Sequence, residues 1–312
     1  MKKRTAKRAL KWIGITIGVL LIIIAAGAAV MFGPFVKAAN SIEKLEDGLY
    51  AMEFAGDYGF DDFLANGGAA SDGEVAEYLV SFLSHGFYKA DGNVTTGSFG
   101  CSTIYTQDEN GTYFFGRNYD WAECETMIVH TKPENGYESV STCCLDFLGF
   151  GDKYAPDGSM TERMQSIAAI YVPLDGMNAK GLVVADLTVG DDEETYQRTG
   201  KVNLTTTTAI RLLLNKAADV DEAVALLKQY DMNSSIGISH HLSIADAHGK
   251  SMLWSMLTEK CWLAKQKWSQ TIILPTAKRG ALARRSRVSG TIPLRHTAGP
   301  LARRRCGTCW RV

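Results

Sequence analysis

A cysteine, an arginine and an aspartate are spaced so that a β-hairpin would bring their side chains to one end of a sheet. The segment runs CSTIYTQDENGTYFFGRNYDW from Cys101, and Asn110-Gly111 lies between two runs of alternating residues. Asn-Gly between such runs is typical of a hairpin with a tight turn. The return strand would carry Arg117 and Asp120 back to the level of Cys101. The sequence therefore predicts a thiol, a guanidinium and a carboxylate in one place.

The chemistry of this group depends on which base takes the proton from the thiol. The thiolate is the nucleophile, and the positive charge of Arg117 would favour it. The α-amine of Cys101 would be available as the base if the Gly100–Cys101 bond were cut, because a free α-amine titrates near neutral pH. Asp120 would then hold that amine. A single residue would serve as nucleophile and base, as N-terminal nucleophiles do.

This spacing resembles the start of the mature chain in the choloylglycine hydrolase and penicillin V acylase family, and in the related acid ceramidase and N-acylethanolamine amidase group. In that family an Arg and an Asp follow the first Cys by sixteen and nineteen positions, within G-R-N-x-D and an aromatic residue. Arg117, Asp120 and Trp121 match this pattern after Cys101. The resemblance implies an α+β fold of the αββα sandwich type, autocatalytic exposure of the cysteine, and hydrolysis of a linear amide C–N bond.

A second segment, Gly176 to Thr188 with the sequence GMNAKGLVVADLT, is similar to the family's N-x-x-G-L turn and following strand. In relatives the end of this strand offers a backbone N–H, and often an Asn side chain, to the oxyanion. This chain has Thr188 there, so its backbone N–H could serve while the Asn amide is missing. Asn178 and Asn118 are the other candidates on the oxyanion or substrate side. By residue type alone, Asn178 is a turn residue and Thr188 a strand residue.

The first part of the chain predicts a membrane anchor. Residues 1–11 carry six Lys or Arg and no acid, and residues 12–36 carry no charge. A bilayer-spanning helix needs about 20 apolar residues, whereas the apolar region of a secretory signal has about 7–15. We therefore predict an uncleaved single-pass helix over 12–36, a cytoplasmic flank over 1–11 and an extracytoplasmic catalytic domain. Removal after Val36-Lys37-Ala38 is the alternative.

Two foldable regions are predicted after the anchor. Residues 38–100 are interpreted as a propeptide or α-subunit-like segment with a helix over Asp72 to Ser84. In ceramidase-like relatives such a segment is cut at the cysteine but stays bound. Residues 101–259 are predicted to form the hydrolase domain, with strands and helices in an order that suits a layered α+β fold. The predicted elements are strands at Ile167–Leu174 and Leu182–Val189, helices at Asn203–Ala217 and Asp219–Tyr230, and a hairpin of His240–Asp246 with Lys250–Met256.

Three histidines offer a different base for the thiol. His130, His240 or His241 could serve Cys101 as in papain-like enzymes, although no papain-type context surrounds this cysteine. The adjacent His240 and His241 would point to opposite faces of a strand, which argues against a shared metal site.

The other cysteines are not assigned to catalysis. Cys143 and Cys144 are interpreted as a small buried pair, or as the source of one partner for Cys124, because adjacent cysteines rarely bond to each other. Exported proteins are able to form such disulfides. Cys306 and Cys309 look like half of a zinc or redox site, and the sequence contains no second half.

Residues 260–312 differ in composition from the rest of the chain. They hold thirteen Lys or Arg and no Asp or Glu, whereas residues 1–259 carry a net charge of −14. Reading the codons two bases later permits a Thr-Asn strand and an S-R-x-x-R-like helix start, which relatives have in this order. We therefore predict a change of reading frame near Glu259. The tail would not belong to the fold, and the sandwich would be incomplete at its C-terminal end.

These patterns together predict a membrane-anchored cysteine amidase that acts on a small-molecule amide through an acyl-enzyme on Cys101. Backbone N–H groups would stabilise the oxyanion. No cofactor, metal or nucleic-acid partner is predicted. An acyltransferase differs only in the nucleophile that clears the acyl-enzyme, so this alternative stays open. The non-enzymatic alternative is a catalytically incomplete surface or binding protein at the membrane, whose basic tail contacts anionic lipid or polymer.

Overall fold

The computed structural model describes residues 32–84, 100–120, 124–148, 155–190, 194–257, 260–265 and 306–311. These residues form a mixed α+β fold with a nine-stranded sheet, a three-stranded sheet and a separate pair of strands. None of the helices in this part of the chain is long and apolar enough to cross a membrane. Most of the predicted membrane span, residues 12–31, lies outside the described residues.

A large sheet forms the centre of the fold. In chain order its strands are β1 (Glu43–Glu46), β2 (Leu49–Ala55), β5 (Thr126–Lys132), β6 (Ser139–Cys144), β7 (Asp175–Asn178), β8 (Val183–Gly190), β11 (Ser239–Ala245), β12 (Ser251–Leu257) and β13 (Lys260–Lys265). Their spatial order is β1-β2-β5-β6-β7-β8-β11-β12-β13. Only β2 and β5 run parallel among these neighbours.

The hairpin predicted around the cysteine is present. Its strands are β3 (Gly100–Gln107) and β4 (Tyr113–Asp120), which pair with Cys101 opposite Tyr119. Asp108 holds the turn, because its Oδ1 accepts two backbone N–H groups of the loop. The hairpin packs against the face of β8 that carries small and branched side chains, in a cluster made of Phe115, Val183, Ala185 and Ala245.

Helices cover the opposite face of the large sheet. They are α1 (residues 32–41), α2 (Phe60–Ala65), α3 (Asp72–Ser84), α4 (Met160–Ser166), α5 (Thr206–Lys216) and α6 (Val220–Leu227). Thr205 caps α5 in a capping box with Thr208, and Asp219 caps α6 by accepting the N–H of Glu222. The main core contains Val184 on the sheet side and Leu213 on the α5 side. The described residues thus supply three of the four layers predicted for an αββα sandwich.

The segment before the hairpin belongs to the same sheet and core as the rest of the chain. Strand β2 lies beside β5, with Met52 opposite Val129. Phe54, Phe63 and Tyr171 are almost completely buried, and the rings of Phe63 and Tyr171 meet edge to face at a centroid distance of 5.8 Å. The predicted helix over Asp72–Ser84 is confirmed as α3. Residues 38–84 are therefore part of the same folded unit as the rest of the described chain.

The C-terminal end of the predicted membrane span lies in this folded region. Phe35 is buried, and its ring packs edge to face on Phe54 at 5.2 Å and on Phe82 at 5.7 Å. Ala38 and Ala39 are buried in the same core. Phe35, Ala38 and Ala39 at the end of the predicted span therefore pack against protein, whereas Val36 is 42% exposed.

Several predicted elements differ from the structure, and the second predicted helix ends at Leu227 instead of Tyr230. Ile167–Tyr171 forms a 3-10 helix that continues α4, rather than a buried strand. Its short run of apolar residues has no periodicity that separates strand from helix. The residues before α5 form β9 (Val202–Thr205), which pairs in parallel with β10 (Tyr230–Asn233). The helix therefore starts three residues later than predicted.

Two pieces of the basic tail have strand structure, in contrast to the prediction that residues 260–312 lie outside the fold. The backbone of β13 pairs with β12 at the edge of the large sheet. The backbone of β14 (Cys306–Arg311) pairs with β4 and completes the three-stranded sheet. Residues 266–305 lie outside the described part of the chain.

Candidate active site

Cys101 lies in the layer between the two sheets. Its side chain is 2% exposed. The neighbouring side chains are mostly apolar, and the buried members of this cluster are Tyr119, Cys144, Leu174 and Leu187. An apolar wall of this kind excludes water and strengthens any charge interaction with the sulfur.

Arg117 brings a charged group to the cysteine. In the hairpin register it lies opposite Thr103, two pairs away from Cys101 and on the same face. Its NH2 group is 3.6 Å from the Cys101 Sγ and donates a hydrogen bond to the backbone carbonyl of Asp186 at 3.1 Å. The guanidinium carbon stands 4.5 Å from the centre of the Tyr119 ring. The spacing of sixteen residues thus brings the predicted pair into contact.

A buried carboxylate that the sequence analysis missed holds the other side of the guanidinium. NH1 of Arg117 lies 3.2 Å from Oδ2 of Asp175, and both side chains are almost completely buried. The Thr142 hydroxyl donates to Oδ1 of Asp175 at 2.6 Å. An isolated charge in such a place would be costly, so the ion pair and its hydrogen bonds fix the guanidinium. Asp175 directly precedes the Gly176-Met177-Asn178 segment of the second motif. This position is the signal by which the sequence could have pointed to Asp175.

The surroundings of Cys101 affect its ionisation in opposite directions. Burial raises the pKa of the thiol above its ordinary value, and the negative charge of Asp186 adds to this rise. The positive charge of Arg117 and the backbone N–H of Thr188, which hydrogen-bonds the sulfur, act to lower the pKa. Burial prevails. In the continuous backbone described here, Arg117 alone is not sufficient to make Cys101 a thiolate.

Arg117 stays charged. Burial acts to lower its pKa, but the charge of Cys101 when it is ionised and the negative charges of Asp175 and Asp186 more than offset this effect and raise it. Its Nε has no hydrogen-bond partner among the described residues. A small pocket opens beside the guanidinium, with Tyr119 and Leu174 in its wall.

The structure brings some of the other predicted site residues to the cysteine. The backbone N–H of Thr188 faces the Cys101 sulfur; its predicted role toward an oxyanion stays a prediction. The backbone of Asp120 pairs with Gly100 next to Cys101, while the side chain of Asp120 lies outside the described atoms. Asn118 lies opposite Ser102, on the face of the hairpin directed away from Cys101.

Asn178 stabilises the local backbone through hydrogen bonds. Its Nδ2 donates to the carbonyls of Leu214 and Ala217, and its Oδ1 accepts the N–H groups of Lys180 and Leu182. All the hydrogen-bonding capacity of the amide is therefore used in joining the β7–β8 turn to α5. The structure does not bring Asn178 to the nucleophile.

None of the three histidines makes a described hydrogen bond to Cys101. His130 is partly exposed and pairs with Glu138 at 2.6 Å. His240 uses both ring nitrogens elsewhere, 2.7 Å from Oδ1 of Asp186 and 3.0 Å from the carbonyl of Ser235. Burial lowers the pKa of His241 to about 4. Because both ring nitrogens of His240 have other partners, the geometry gives no support to His240 as a papain-like base for Cys101.

Cys124 and Cys144 interact through their thiols. Cys101, Cys124, Cys143 and Cys144 are free thiols. A hydrogen bond from the Cys144 thiol lowers the pKa of Cys124, whereas burial raises the pKa of Cys143. The interpretation of Cys144 as a partner for Cys124 therefore agrees with the arrangement of the reduced chain.

The described fold and site define a mixed α+β protein with a buried cysteine–arginine pair at the start of a hairpin. A model of the linear amide C–N hydrolases of the choloylglycine hydrolase family matches residues 101–261. The match covers just over half of the chain, and the chain belongs to this family. It begins at Cys101 and ends close to the predicted change in reading frame.

Solved structures of low sequence identity are also similar. One is a variant of the conjugated bile acid hydrolase from Clostridium perfringens, with 18% identity and a TM-score of 0.37 over 53% of this chain and 51% of that chain. Another is penicillin V acylase from Agrobacterium tumefaciens, with 19% identity and a TM-score of 0.36 over 53% of this chain and 49% of that chain. The chain spans about half the length of these structures. No curated protein sequence gives a significant match.

Proposed function

We propose that this protein is an N-terminal-nucleophile hydrolase that cleaves linear amide C–N bonds through an acyl-enzyme on Cys101. The observation that carries the proposal is the contact between Cys101 and a guanidinium that Asp175 and the Asp186 carbonyl hold in place. Family membership supports the same reaction class.

The first step of the proposal is a cut at the Gly100–Cys101 bond. The Cys101 sulfur attacks the Gly100 carbonyl, and the C–N bond breaks to leave a thioester and a free α-amine. Water then hydrolyses the thioester, which frees the thiol and leaves a carboxylate on Gly100. The step consumes one water and needs no other reactant. It is required because the nitrogen of Cys101 has no basicity while it belongs to a peptide bond.

The mature site then has a base on the nucleophile itself. The α-amine takes the thiol proton, the thiolate attacks the substrate carbonyl, and the same amine returns the proton to the leaving nitrogen. Arg117 compensates the negative charge near the sulfur, and Asp120 holds the ammonium form of the amine. The backbone N–H of Thr188, which points at the sulfur, is suited to bind the oxyanion. Water completes the cycle by hydrolysing the acyl-enzyme.

The wall around the sulfur favours a substrate with an apolar acyl group. Tyr119, Leu174 and Leu187 surround Cys101, and partly buried Phe147 and Leu253 pack against them. Each methylene that an acyl chain buries there would contribute about 0.8 kcal/mol. We therefore expect the specificity constant to rise with the length of the acyl chain.

Intact-mass measurement and an amidase assay test this function together. We expect the native full-length chain to be cut between Gly100 and Cys101, and Cys101→Ala to abolish both the cut and the hydrolysis of N-acyl amides. Cys143→Ala is a matched control, since it removes a buried thiol on β6 that the mechanism does not use. An uncut chain that still hydrolyses amides would exclude the mechanism. Formation of an acyl hydroxamate on addition of hydroxylamine would report the acyl-enzyme on Cys101.

We also propose that the chain is anchored in a membrane by the uncharged residues that follow its basic N-terminus, with the site on the outer side. The charge pattern of residues 1–31 supports this location. The span has to end before the helix at residues 32–41, because Phe35 packs in the globular core. Recovery of the full chain in the aqueous phase after alkaline carbonate extraction of membranes would exclude the anchor.

A further inference from the structure

One residue of β8 connects the active-site arginine to a buried pair on the other side of the sheet. The backbone carbonyl of Asp186 accepts a hydrogen bond from the NH2 of Arg117 at 3.1 Å. Its carboxylate meets Nδ1 of His240 at 2.7 Å. Both Asp186 and His240 are buried, with 4% and 2% exposure. A carboxylate in an otherwise apolar strand is unusual and needs a partner.

The pair lies behind the strand and not in the catalytic layer. Leu187 contacts the cluster around Cys101, whereas Val184 belongs to the core under the helices. Side chains alternate along a strand, so Asp186 points to the helix side together with Val184. His240 lies opposite Thr188 in the β8–β11 register, and its side chain lies on that same side. Neither side chain is therefore available to exchange protons with Cys101.

The contacts of His240 require two N–H donors. Nε2 faces the carbonyl of Ser235 at 3.0 Å, and a carbonyl only accepts. Nδ1 faces the carboxylate of Asp186. Both contacts are favourable hydrogen bonds when the ring is an imidazolium. Burial acts to lower the pKa of His240, but Asp186, the Ser235 carbonyl and Asp72 more than offset it and raise the pKa above its ordinary value.

The N-terminal segment of the chain stabilises the turn that contains Ser235, on the side of His240 away from Asp186. Asp72, at the start of α3, accepts the Ser235 hydroxyl at 2.9 Å and the Ile236 N–H at 2.7 Å. Ile236 has a φ of 51°, which is unfavourable for a β-branched residue. The carboxylate of Asp72 therefore stabilises a strained turn whose carbonyl orients His240. The groups that face His240 are Asp186 from β8, the Ser235 carbonyl and Asp72 from α3. His241 lies on the opposite face of β11 and interacts with His240 only through its charge.

We propose that Asp186 and His240 are positioning residues, which fix residues 186–188 of β8 so that the Asp186 carbonyl holds Arg117 and the Thr188 N–H holds the Cys101 sulfur. The proposal rests on the proposed function in one respect, namely that Cys101 is the nucleophile. Its consequence is that the reactivity of the thiol depends on a pair that touches neither the thiol nor the substrate.

Removal of the Asp186 side chain separates positioning from a simple charge effect. The negative charge of Asp186 raises the pKa of Cys101, so Asp186→Ala would make the thiol more reactive if charge were its only contribution. If the side chain positions the strand, the same variant makes the thiol less reactive. We expect alkylation of Cys101 by iodoacetamide, compared at one pH at which the unmodified chain reacts measurably and followed by peptide mass spectrometry, to slow by about tenfold, which corresponds to about one pKa unit. Faster alkylation, or an unchanged rate, would overturn the proposal.

Two substitutions of His240 refine the test. His240→Asn keeps a donor near the position of Nδ1, which faces Asp186, whereas His240→Gln keeps one near Nε2, which faces Ser235. We expect the Asn variant to retain more of the alkylation rate than the Gln variant. His130→Gln is the matched control, since it removes a histidine that pairs with Glu138 on another strand, and it should alkylate as the unmodified chain does. Equal rates for the Asn and Gln variants would contradict the proposal.

The pH dependence gives an independent readout. Because the pKa of His240 is raised, the imidazolium contacts are complete below its ordinary value and are lost as the pH rises through the raised value. We expect the Cys101 alkylation profile of the unmodified chain to show a second inflection there, and the inflection to be absent in His240→Gln. If Asp186→Ala does not fold, Asp72→Asn replaces it and should slow alkylation to a smaller extent. An unchanged rate in a folded Asp72→Asn chain would then overturn the proposal.

The alkylation experiments do not require turnover. If the chain is never cut and hydrolyses no amide, the proposed function fails, but the comparison of Cys101 reactivity among the variants still decides whether Asp186 and His240 position the site. If the chain is active and the variants alkylate like the unmodified protein, only the positioning inference fails.

Discussion

Arg117 and Asp175 form an ion pair whose side chains are 2% and 1% exposed. The two residues come from different sheets and lie 58 positions apart. Their contact ties the hairpin that carries Cys101 to β7 of the large sheet. The direction of the guanidinium, and with it the distance to the sulfur, is therefore set by a residue outside the motif that identifies the site.

Asp175→Asn should destabilise the protein and reduce its activity. The substitution keeps the hydrogen bond from Thr142 but leaves Arg117 as a buried charge without its carboxylate. Removal of one partner of a buried pair costs about 3–5 kcal/mol. Denaturant unfolding measures the change in free energy of unfolding. Asp221→Asn, in an exposed ion pair with Lys250, should change it by less than about 1 kcal/mol. Equal stability of the two variants would contradict this account of Arg117.

The thiol of Cys101 should react at lower pH after the cut than before it. In the uncut chain burial raises the pKa of the thiol, so alkylation should need a pH above the ordinary thiol range. The cut supplies an α-amine that titrates at about 7.7–8.0 in ordinary surroundings, and the ammonium form favours the thiolate. The measurement is the alkylation rate of Cys101 against pH in cut and uncut chains. Coincident profiles would count against the amine as the activating base.

The N-terminal segment should remain bound after the cut. Its strand β2 is hydrogen-bonded to β5, and Phe54 and Phe63 are buried in the shared core. Size-exclusion chromatography of the cut protein should give one peak that contains both fragments, and denaturant should separate them. Phe63→Ala should weaken the association by about 3–5 kcal/mol. Separation of the fragments in native buffer would show that this interface does not hold.

Arg163 should fasten the helix at residues 32–41 to the domain. Its NH1 donates to the carbonyls of Ala39 and Ile42, both at 3.1 Å, where a helix end leaves carbonyls without partners. Arg163→Ala should lower the free energy of unfolding by about 1–2 kcal/mol and speed proteolysis near residue 40. Arg163→Lys keeps a positive charge at the helix end and should recover part of the loss. Unchanged proteolysis in the Ala variant would argue against this fastening.

A change of reading frame near Glu259 is expected in the nucleotide sequence. The family match ends at residue 261, and the basic tail follows directly. An independent read of this region should differ by an inserted or missing base. The corrected chain should continue into a Thr-Asn strand and gain activity over the chain with the basic tail. Two agreeing reads without such a difference would remove this hypothesis.

The contact between Cys101 and Arg117 could be predicted from the sequence because a hairpin is a local structure. The Asn-Gly turn and the alternating residues set the register, and the register places the two side chains on one face. The cap at Asp219 and the helix over Asp72–Ser84 were also predictable, because each depends on residues within a few positions of one another. The short run at Ile167–Tyr171 was not, since neighbouring layers decide whether a few apolar residues become strand or helix.

The sequence by itself determined the pairing of Cys101 with Arg117 and the hairpin that joins them, because those relations span a few residues and one turn. Only the tertiary structure decided that Asp175 is the carboxylate that pairs with Arg117, and that His240 pairs with Asp186 on the helix side of β8. Asp175, Asp186 and His240 reach the site from strands more than fifty positions away from their partners. A buried acid in a strand has many conceivable partners in a sequence, and the order of strands in the sheet selects one of them.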